Sequence, residues 1–333
     1  MAHRASVNQA VQLGPETTPG TSVAATKLLT AFTWTFGPKP TTKQFTGTGR
    51  KYPSASEMLT DSSAGKVAGV GDFNQLPYIV ASVFGKVTAV AHAPSVTAFD
   101  WIFNPALSGA YSPQTYTAEN GDTVEAEKYT YLLFPGWGYS FTRKQEMQIT
   151  GDFFAQQMQT GITRTASPTE VALLPMKGAQ ANLYLDATSA GIGGTQLLAP
   201  LSVSFAASGY YDQFWPINRA NASYGGHVDK LPKNELKIKL EADTAGIAVK
   251  GSYLETGAKC YVRVDVQGPV IDAANSVNAT MTHDMVLFVS DVSELSDTDG
   301  VYAVEYTLQV AEDTAWGTGT AQKLTFTNLI QDL

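Results

Sequence analysis

The stretch NELKIKLEAD, residues 234–243, alternates apolar and polar side chains with a period of two. Leu236, Ile238 and Leu240 fall on one side of an extended chain, and the charged residues between them fall on the other. This alternation predicts a β-strand with one buried face. The same pattern recurs in FDWIF (99–103), KCYVRVDV (259–266) and QKLTFTNL (322–329). We therefore expect a mainly β fold.

Further strands are predicted from apolar runs bounded by turn residues. They span 28–36, 66–72, 87–92, 128–134, 138–150, 181–187, 201–207, 246–253, 285–290 and 301–311. Pro135-Gly136 is typical of a turn and predicts a hairpin between two of them. Residues 151–160 are consistent with either a short helix or a continuation of the preceding strand.

One segment has helical periodicity. In DFNQLPYIVASVFG, residues 72–85, apolar residues follow an i, i+3, i+4, i+7 spacing that predicts a helix over about 73–84. Asp72 or Asn74 can cap its first turn, Pro77 is tolerated there, and Gly85 can end it.

The composition argues against several function classes. Only 16% of the 333 residues are charged, and 44% are hydrophobic. With one cysteine and four scattered histidines, the chain has no metal-ligand spacing, and it carries no catalytic or phosphate-binding motif. We therefore predict no enzyme activity and no cofactor. No apolar run is long enough for a membrane helix, and no targeting signal is evident, so we expect a soluble protein of a reducing cytoplasm.

Charge is distributed unevenly along the chain. Residues 1–70 hold seven Lys or Arg against three Asp or Glu, whereas residues 166–333 hold ten against nineteen. A basic front and an acidic back can attract each other between copies of one protein. Ordinary solvated charge is the alternative interpretation.

Two segments lack the strand pattern. VQLGPETTPG, residues 11–20, is rich in turn residues, and we expect 1–22 to be an extended N-terminal arm whose backbone must find hydrogen-bond partners elsewhere. Residues 37–65 form a long Gly-, Pro-, Thr- and Ser-rich stretch that we interpret as a functional loop. The remaining chain, 23–333, is predicted as one β domain with a possible second sheet or subdomain from about residue 166.

Five stretches in this order and spacing resemble phage tail tube proteins, the major tail proteins of long-tailed phages. The N-terminal stretch resembles that family's arm through Gln12, Gly14, Glu16, Thr17, Thr18 and Gly20. Residues 62–85 are similar to the family's strand and short helix, 99–105 and 117–141 to its next strand and hairpin, and 297–310 to its closing strands.

The resemblance implies a β-sandwich or partly open barrel with one flanking helix, an extended N-terminal arm and a long stacking loop. It implies rings of six subunits, joined sheet edge to sheet edge, that stack into a hollow conduit for double-stranded DNA. Partners would be other copies of the chain and the tape measure, terminator and baseplate proteins, in a virion assembled in the bacterial host cytoplasm. DNA would pass without specific binding, and no membrane would be involved. If residues 166–333 duplicate the tube fold, three chains rather than six close a ring.

The resemblance also implies assembly contacts, in which the backbone of Val11–Gly20 finds its partners on an adjacent subunit. The candidate contact residues are those six arm positions together with Lys39, Lys43, Arg50 and Lys51 in the 37–65 loop, which would reach the neighbouring ring. A candidate lumen or acidic docking surface comprises Asp291, Glu294, Asp297, Asp299 and Glu305.

Two other functions remain open. One is an Ig-like β-sandwich that serves a virion as a binding or adhesion module. The other is a β-rich hydrolase that acts on glycans, with Trp101, Trp137, Trp215 and Trp316 as sugar platforms.

Overall fold

The computed structural model describes residues 9–122, 124–217, 222–317 and 320–333. Within these ranges the fold is mainly β, as predicted from the sequence. The strands of the first half are β1 (Ala10–Pro15), β2 (Lys27–Leu29), β3 (Phe32–Pro38), β4 (Thr41–Phe45), β5 (Ala55–Thr60), β6 (Ser63–Val70), β7 (Val90–Ala91), β8 (Phe99–Phe103), β9 (Tyr116–Gly121), β10 (Ala126–Thr142), β11 (Gln148–Ala155) and β12 (Gln159–Ile162). Those of the second half are β13 (Thr169–Glu170), β14 (Ala181–Asp186), β15 (Pro200–Ser208), β16 (Tyr211–Phe214), β17 (Gly226–Asp229), β18 (Lys233–Glu241), β19 (Lys259–Asp272), β20 (Val277–Val292), β21 (Ser296–Thr298), β22 (Val301–Val310) and β23 (Gln322–Asn328).

The predicted helix is present as α1 (Leu76–Phe84). Asp72 accepts hydrogen bonds from the amides of Asn74 and Gln75 at its start, and Gly85 follows its last turn with φ 112°. All nine helical residues are buried, so α1 is enclosed on every side rather than one-sided as its spacing predicted. Its surroundings include β10, where the Phe134 amide donates to Ser82 Oγ.

Three of the predicted elements are wrong. The single strand predicted over 138–150 is two antiparallel strands, because the chain turns between the end of β10 at Thr142 and the start of β11 at Gln148. Residues 246–253 are helical rather than extended, because Asp243 accepts the Gly246 amide and caps α2 (Thr244–Val249), which continues as a π-helical turn over Lys250–Leu254. The chain does not turn back at Pro135-Gly136, because β10 continues through these residues. Its pairing with β11 shifts register there, which indicates a β-bulge. A bulge bends a strand. This one lies between the part of β10 that pairs with β9 and the part that pairs with β15.

The two halves of the chain repeat one pattern of antiparallel strand pairing. In the first half β3 pairs with β6, β6 with β11, β11 with β10, and β10 with β9 and β12. In the second half β15 pairs with β18, β18 with β22, β22 with β20, and β20 with β19 and β23. The leading strands, β1 and β14, pair with β9 and β19, and a helix precedes each of these partners.

Other details of the two halves also correspond. A 24-residue segment holding a two-stranded hairpin, residues 39–62 and residues 209–232, is inserted at the same point of each half. The pairing of β20 with β22 shifts register as that of β10 with β11 does. We call residues 9–162 the first repeat and residues 181–328 the second repeat. The strand pairing of residues 181–328 therefore repeats that of residues 9–162, whereas β13 pairs with β2 of the first repeat.

The repeats are joined into one sheet by β10 and β15, which pair from Trp137 opposite Ala207 to Thr142 opposite Ser202. The resulting main sheet has eight strands in the order β3, β6, β11, β10, β15, β18, β22 and β20. A second junction pairs β8 of the first repeat with β23 of the second. One face of the main sheet is core, including Trp34, Val67, Trp137, Phe205, Leu236 and Leu308.

Candidate assembly surface

The segment predicted to be a free arm is part of the body of the protein. Strand β1 lies between β2 and β9, with Val11 opposite both Leu29 and Asn120. Val11 and Leu13 are buried, because alternate residues of this short strand point into the core. The expectation that the backbone of Val11–Gly20 is paired by an adjacent subunit is therefore wrong for Ala10–Pro15, and residues 1–8 lie outside the described part.

Glu16 explains why this segment is held so firmly. Its carboxylate is buried and accepts hydrogen bonds from the hydroxyls of Thr115 and Thr117 and from the amides of Gly20 and Tyr131. The Tyr131 amide belongs to a residue with φ 55°, inside an irregular part of β10. Glu16 therefore ties the N-terminal segment to β9 and to the bend of β10.

The six candidate arm residues divide accordingly. Gln12, Gly14 and Glu16 are buried within the chain, so they have no surface to offer a partner. Gly20 is half-buried, and Thr17 and Thr18 are exposed.

The predicted 37–65 loop is instead a projecting β-hairpin, since its ends belong to β3 and β6 and its centre forms β4 and β5. Every residue of β4 is exposed, and in β5 only Thr60 is half-buried. A lone two-stranded hairpin is marginally stable in water, so this one lacks the packing that such hairpins ordinarily need. Lys39, Lys43, Arg50 and Lys51 are all exposed on it.

The hairpin also displays apolar side chains. Phe45, Tyr52, Met58 and Leu59 are each exposed by 43% or more, and the Lys43 ammonium lies 5.6 Å from the Phe45 ring centroid. Large apolar groups beside cations on a projecting element are typical of a contact surface for protein.

The corresponding hairpin of the second repeat, β16 with β17, is not free. It lies against the first repeat, where the Tyr211 hydroxyl donates to the Val83 carbonyl of α1 at 2.9 Å. The Tyr224 hydroxyl donates to the Tyr131 carbonyl of β10 at 2.6 Å, and the two rings stack at 5.2 Å. Tyr210, Tyr211 and Tyr224 are fully or almost fully buried by this packing.

The second feature is the solvent-facing side of the main sheet. Its central strands present small residues, with Ser140 of β10, Thr150 of β11 and Ser204, Ala206 and Ser208 of β15 all exposed. They line a trough of about 540 Å³ over the junction of the two repeats. Gly136 and Gly138 form its floor, and a Cβ atom at either position would come within 2.6 Å of a β15 carbonyl oxygen. We call this side the neutral face.

Charges on the neutral face balance one another. Lys66 lies 3.6 Å from Asp152, and Glu235 is within 3.7 Å of both Lys233 and Lys237. Lys239 is directly opposite Glu305 in the pairing of β18 with β22. The positive charge of Lys237 is therefore offset by Glu235 on the same strand, and that of Lys239 by Glu305 on the neighbouring strand β22.

The five acidic candidates fall in two places. Asp291 and Glu305 belong to the neutral face, because Asp291 is opposite Thr307, two residues from Glu305 on β22. Glu294, Asp297 and Asp299 are exposed in the tip that joins β20 to β22. Among the described residues, only Asp299 of these three has an ion-pair partner, the Lys144 ammonium at 3.7 Å. The tip is thus an acidic edge at the far end of the main sheet from β3.

The sequence did not identify the neutral face, although a signal for it exists. In GWGYS (136–140) and SVSFAAS (202–208), small residues alternate with large ones. This pattern is typical of strands that bury large side chains on one face and present only small side chains on the other. The pairing of β10 with β15 then places the two faces of small side chains next to each other.

Sites for other chemistry are few. No group of His, Cys, Asp and Glu suited to a metal ion occurs among the described residues. Trp101 and Trp137 are buried in the core, so neither can present its ring to a sugar. None of the helices in the described ranges has the length and apolarity of a membrane span.

Comparison with known proteins adds no identification. No protein-family model matches the chain, and a search of curated proteins finds no match.

Proposed function

We propose that this chain is the structural subunit of a phage tail tube. Copies join side by side into rings, and the rings stack into a hollow conduit that delivers double-stranded DNA into the host. The observation that carries the proposal is the main sheet itself, which has a neutral solvent-facing side and two edges without a strand partner among the described residues. These edges are the outer side of β3 and residues 291–298, beyond the part of β20 that pairs with β19.

The neutral face suits the wall of a DNA channel. Duplex DNA carries about one phosphate per 1.7 Å of its axis, and unpaired lysines or arginines along a wall would retain it. On this face lysines are paired with carboxylates, and the centre consists of glycine, alanine, serine and threonine. The centre of this face therefore offers DNA no large side chains, and the lysines around it lie near carboxylates.

The size of the sheet supports assembly over action as a monomer. Barrels of about 16–18 strands enclose an aqueous channel, and about eight strands enclose only side chains. The eight strands of one main sheet therefore require the main sheets of further copies to form a conduit. Because each chain carries two repeats, a ring of six repeats contains three chains. Such a tube would form part of a virion and meet other tail proteins at its two ends.

The exposed β4–β5 hairpin provides a contact between copies. Its basic and apolar side chains match an acidic protein surface, and the chain beyond residue 166 is rich in carboxylates. The same hairpin is the one feature that favours the alternative of a virion binding module, since it would then contact a different protein.

Electron microscopy of the purified, concentrated protein tests the proposal. We expect rings or tubes with an axial hole. Particles that remain single chains in the micrographs and in analytical ultracentrifugation at the same concentration would overturn it and favour the binding module.

A further inference from the structure

Within the chain, the second repeat contacts the first through a paired strand and a hairpin. Strand β15 pairs with the second part of β10, and the hairpin inserted between β15 and β18 lies across α1 and β10 of the first repeat. Phe141 and Thr142 at the end of β10, and Arg143 after it, also line the groove between β14 and β15. The volume of this groove is about 160 Å³.

The corresponding elements of the first repeat are uncovered. Strand β3 pairs on one side with β6, and no strand of the described residues pairs with its other side. The β4–β5 hairpin lies free in solvent. The groove beside β3, lined by β1, β2 and β3, measures about 440 Å³. Trp34 Nε1 at this edge is buried without a hydrogen-bond partner in the described part of the chain.

The second repeat also has an unpaired edge, which corresponds to the part of β10 that pairs with β15. Strand β20 corresponds to β10, and its pairing with β19 stops at Phe288. Beyond that residue, 291–298 pair only with β22 within the described ranges, through β20 and β21. Thr298 Oγ1 in this segment is buried and has no partner there.

We propose that β3 of one copy pairs antiparallel with residues 291–298 of a second copy, as β15 pairs with β10 inside the chain. The β4–β5 hairpin then lies across the second repeat of that same neighbour, beside β3. The inference rests on the proposed function, and it assigns the surface through which copies join within a ring.

Charge and geometry fit this pairing. In the register of β15 with β10, the C-terminal end of β3 would meet Asp291, so Lys39, which directly follows β3, would lie near this carboxylate. Residues 294–299, which carry three carboxylates and no Lys or Arg, would lie toward the other end of β3. The two edges lie at opposite ends of one eight-strand sheet, so the contact is head to tail between copies. A repeated head-to-tail contact closes into a ring when its rotation permits.

Cysteine cross-linking between separately prepared variants tests the pairing. Thr35→Cys is on β3, Leu295→Cys is in the 291–298 segment, and both side chains are exposed. Burial raises the pKa of the native Cys260 thiol to about 12, so this residue can stay in place. With a short bis-maleimide, which tolerates a small error of register, we expect covalent dimers when the two variants are mixed and none when either is treated alone.

The control replaces Leu295→Cys with Ser252→Cys, an exposed position outside both edges, and should give no dimer with Thr35→Cys. Dimers from Thr35→Cys alone would indicate a β3-to-β3 contact and overturn the proposal. Tubes seen by electron microscopy without cross-linking in the mixture would overturn the assigned edges and leave the proposed function intact. Absence of both tubes and dimers would overturn both.

Discussion

Glu16 is the residue at which the sequence interpretation and the structure differ most. Its motif suggested contact with another subunit, but its carboxylate accepts four hydrogen bonds inside its own chain. We expect Glu16→Ala to lower the free energy of unfolding by roughly 2–4 kcal/mol, because buried donors on β9 and β10 lose their acceptor. Urea denaturation measures this loss.

The exposed neighbour Thr18 provides the matched control, and Thr18→Ala should leave the midpoint of denaturation unchanged. If Glu16→Ala instead unfolds like the unmodified protein and only assembly suffers, the carboxylate acts between subunits and the structural assignment is wrong.

His283 makes stability depend on pH. Its ring is fully buried between the Tyr139 hydroxyl, 3.1 Å from Nδ1, and the Gln322 side chain, 3.3 Å from Nε2, and burial lowers its pKa to about 3. The unfolded chain binds a proton near pH 6.5, so stability is highest above that pH and falls as pH decreases toward 3.

Between pH 6.5 and pH 4 this residue should remove on the order of 3 kcal/mol from the free energy of unfolding. Denaturation at several pH values checks this when the protein is compared with His283→Gln. The variant should show a shallower decline with pH over that interval, whatever its stability at pH 7. Equal slopes in the two proteins would contradict the assignment.

At the scale of elements, the two inserted hairpins provide a matched pair of deletions. Replacing residues 41–60 with Asn-Gly removes β4, β5 and their connection, whose side chains are almost all exposed, and keeps Asp61, whose amide donates to the Ala222 carbonyl. We expect the shortened chain to unfold at nearly the same urea concentration and to lose the ability to form tubes.

The same replacement of residues 211–230 removes Tyr211 and Tyr224, which are buried against the first repeat. Loss of such aromatic side chains costs about 3–5 kcal/mol each, so this variant should be strongly destabilised. A first deletion that destabilises as much as the second would mean that β4 and β5 belong to the folded body.

Strand alternation predicted most of the β architecture. It succeeded for β18, β19 and β23, because each of these strands has one core face and one less buried face. It failed at Pro135-Gly136, because these turn-type residues lie at a bulge inside β10 and not at the end of a strand. It also failed at 246–253, where a single cap by Asp243 outweighs an ambiguous apolar spacing. Repetition of the fold was not evident from the sequence, since it lies in the order in which the strands pair, and that order is a property of the tertiary structure.

At the scale of the whole molecule, the candidate surface was predictable only in part. The basic residues of the 39–62 segment and the acidic residues of the tip are evident in the sequence, because charged side chains are mostly exposed in folded proteins, and the family resemblance suggested their role in assembly. The neutral face required the register of six strands, since Lys237 and Lys239 are offset by Glu235 and Glu305 on their own and a neighbouring strand. A sequence read one strand at a time cannot supply that balance.

The neutral face should control how strongly a tube holds DNA. Thr150→Lys with Ser204→Lys places two unpaired ammonium groups at exposed positions on the central strands β11 and β15. In tubes assembled around a labelled duplex, we expect this variant to retain DNA during sedimentation at low salt, where the unmodified protein releases it.

Each phosphate neutralised by lysine should steepen the logarithmic dependence of retention on salt by about 0.9. Ser252→Lys with Ala258→Lys adds the same charge outside the neutral face and should not change retention, whereas equal retention by both variants would show that this face does not line the channel.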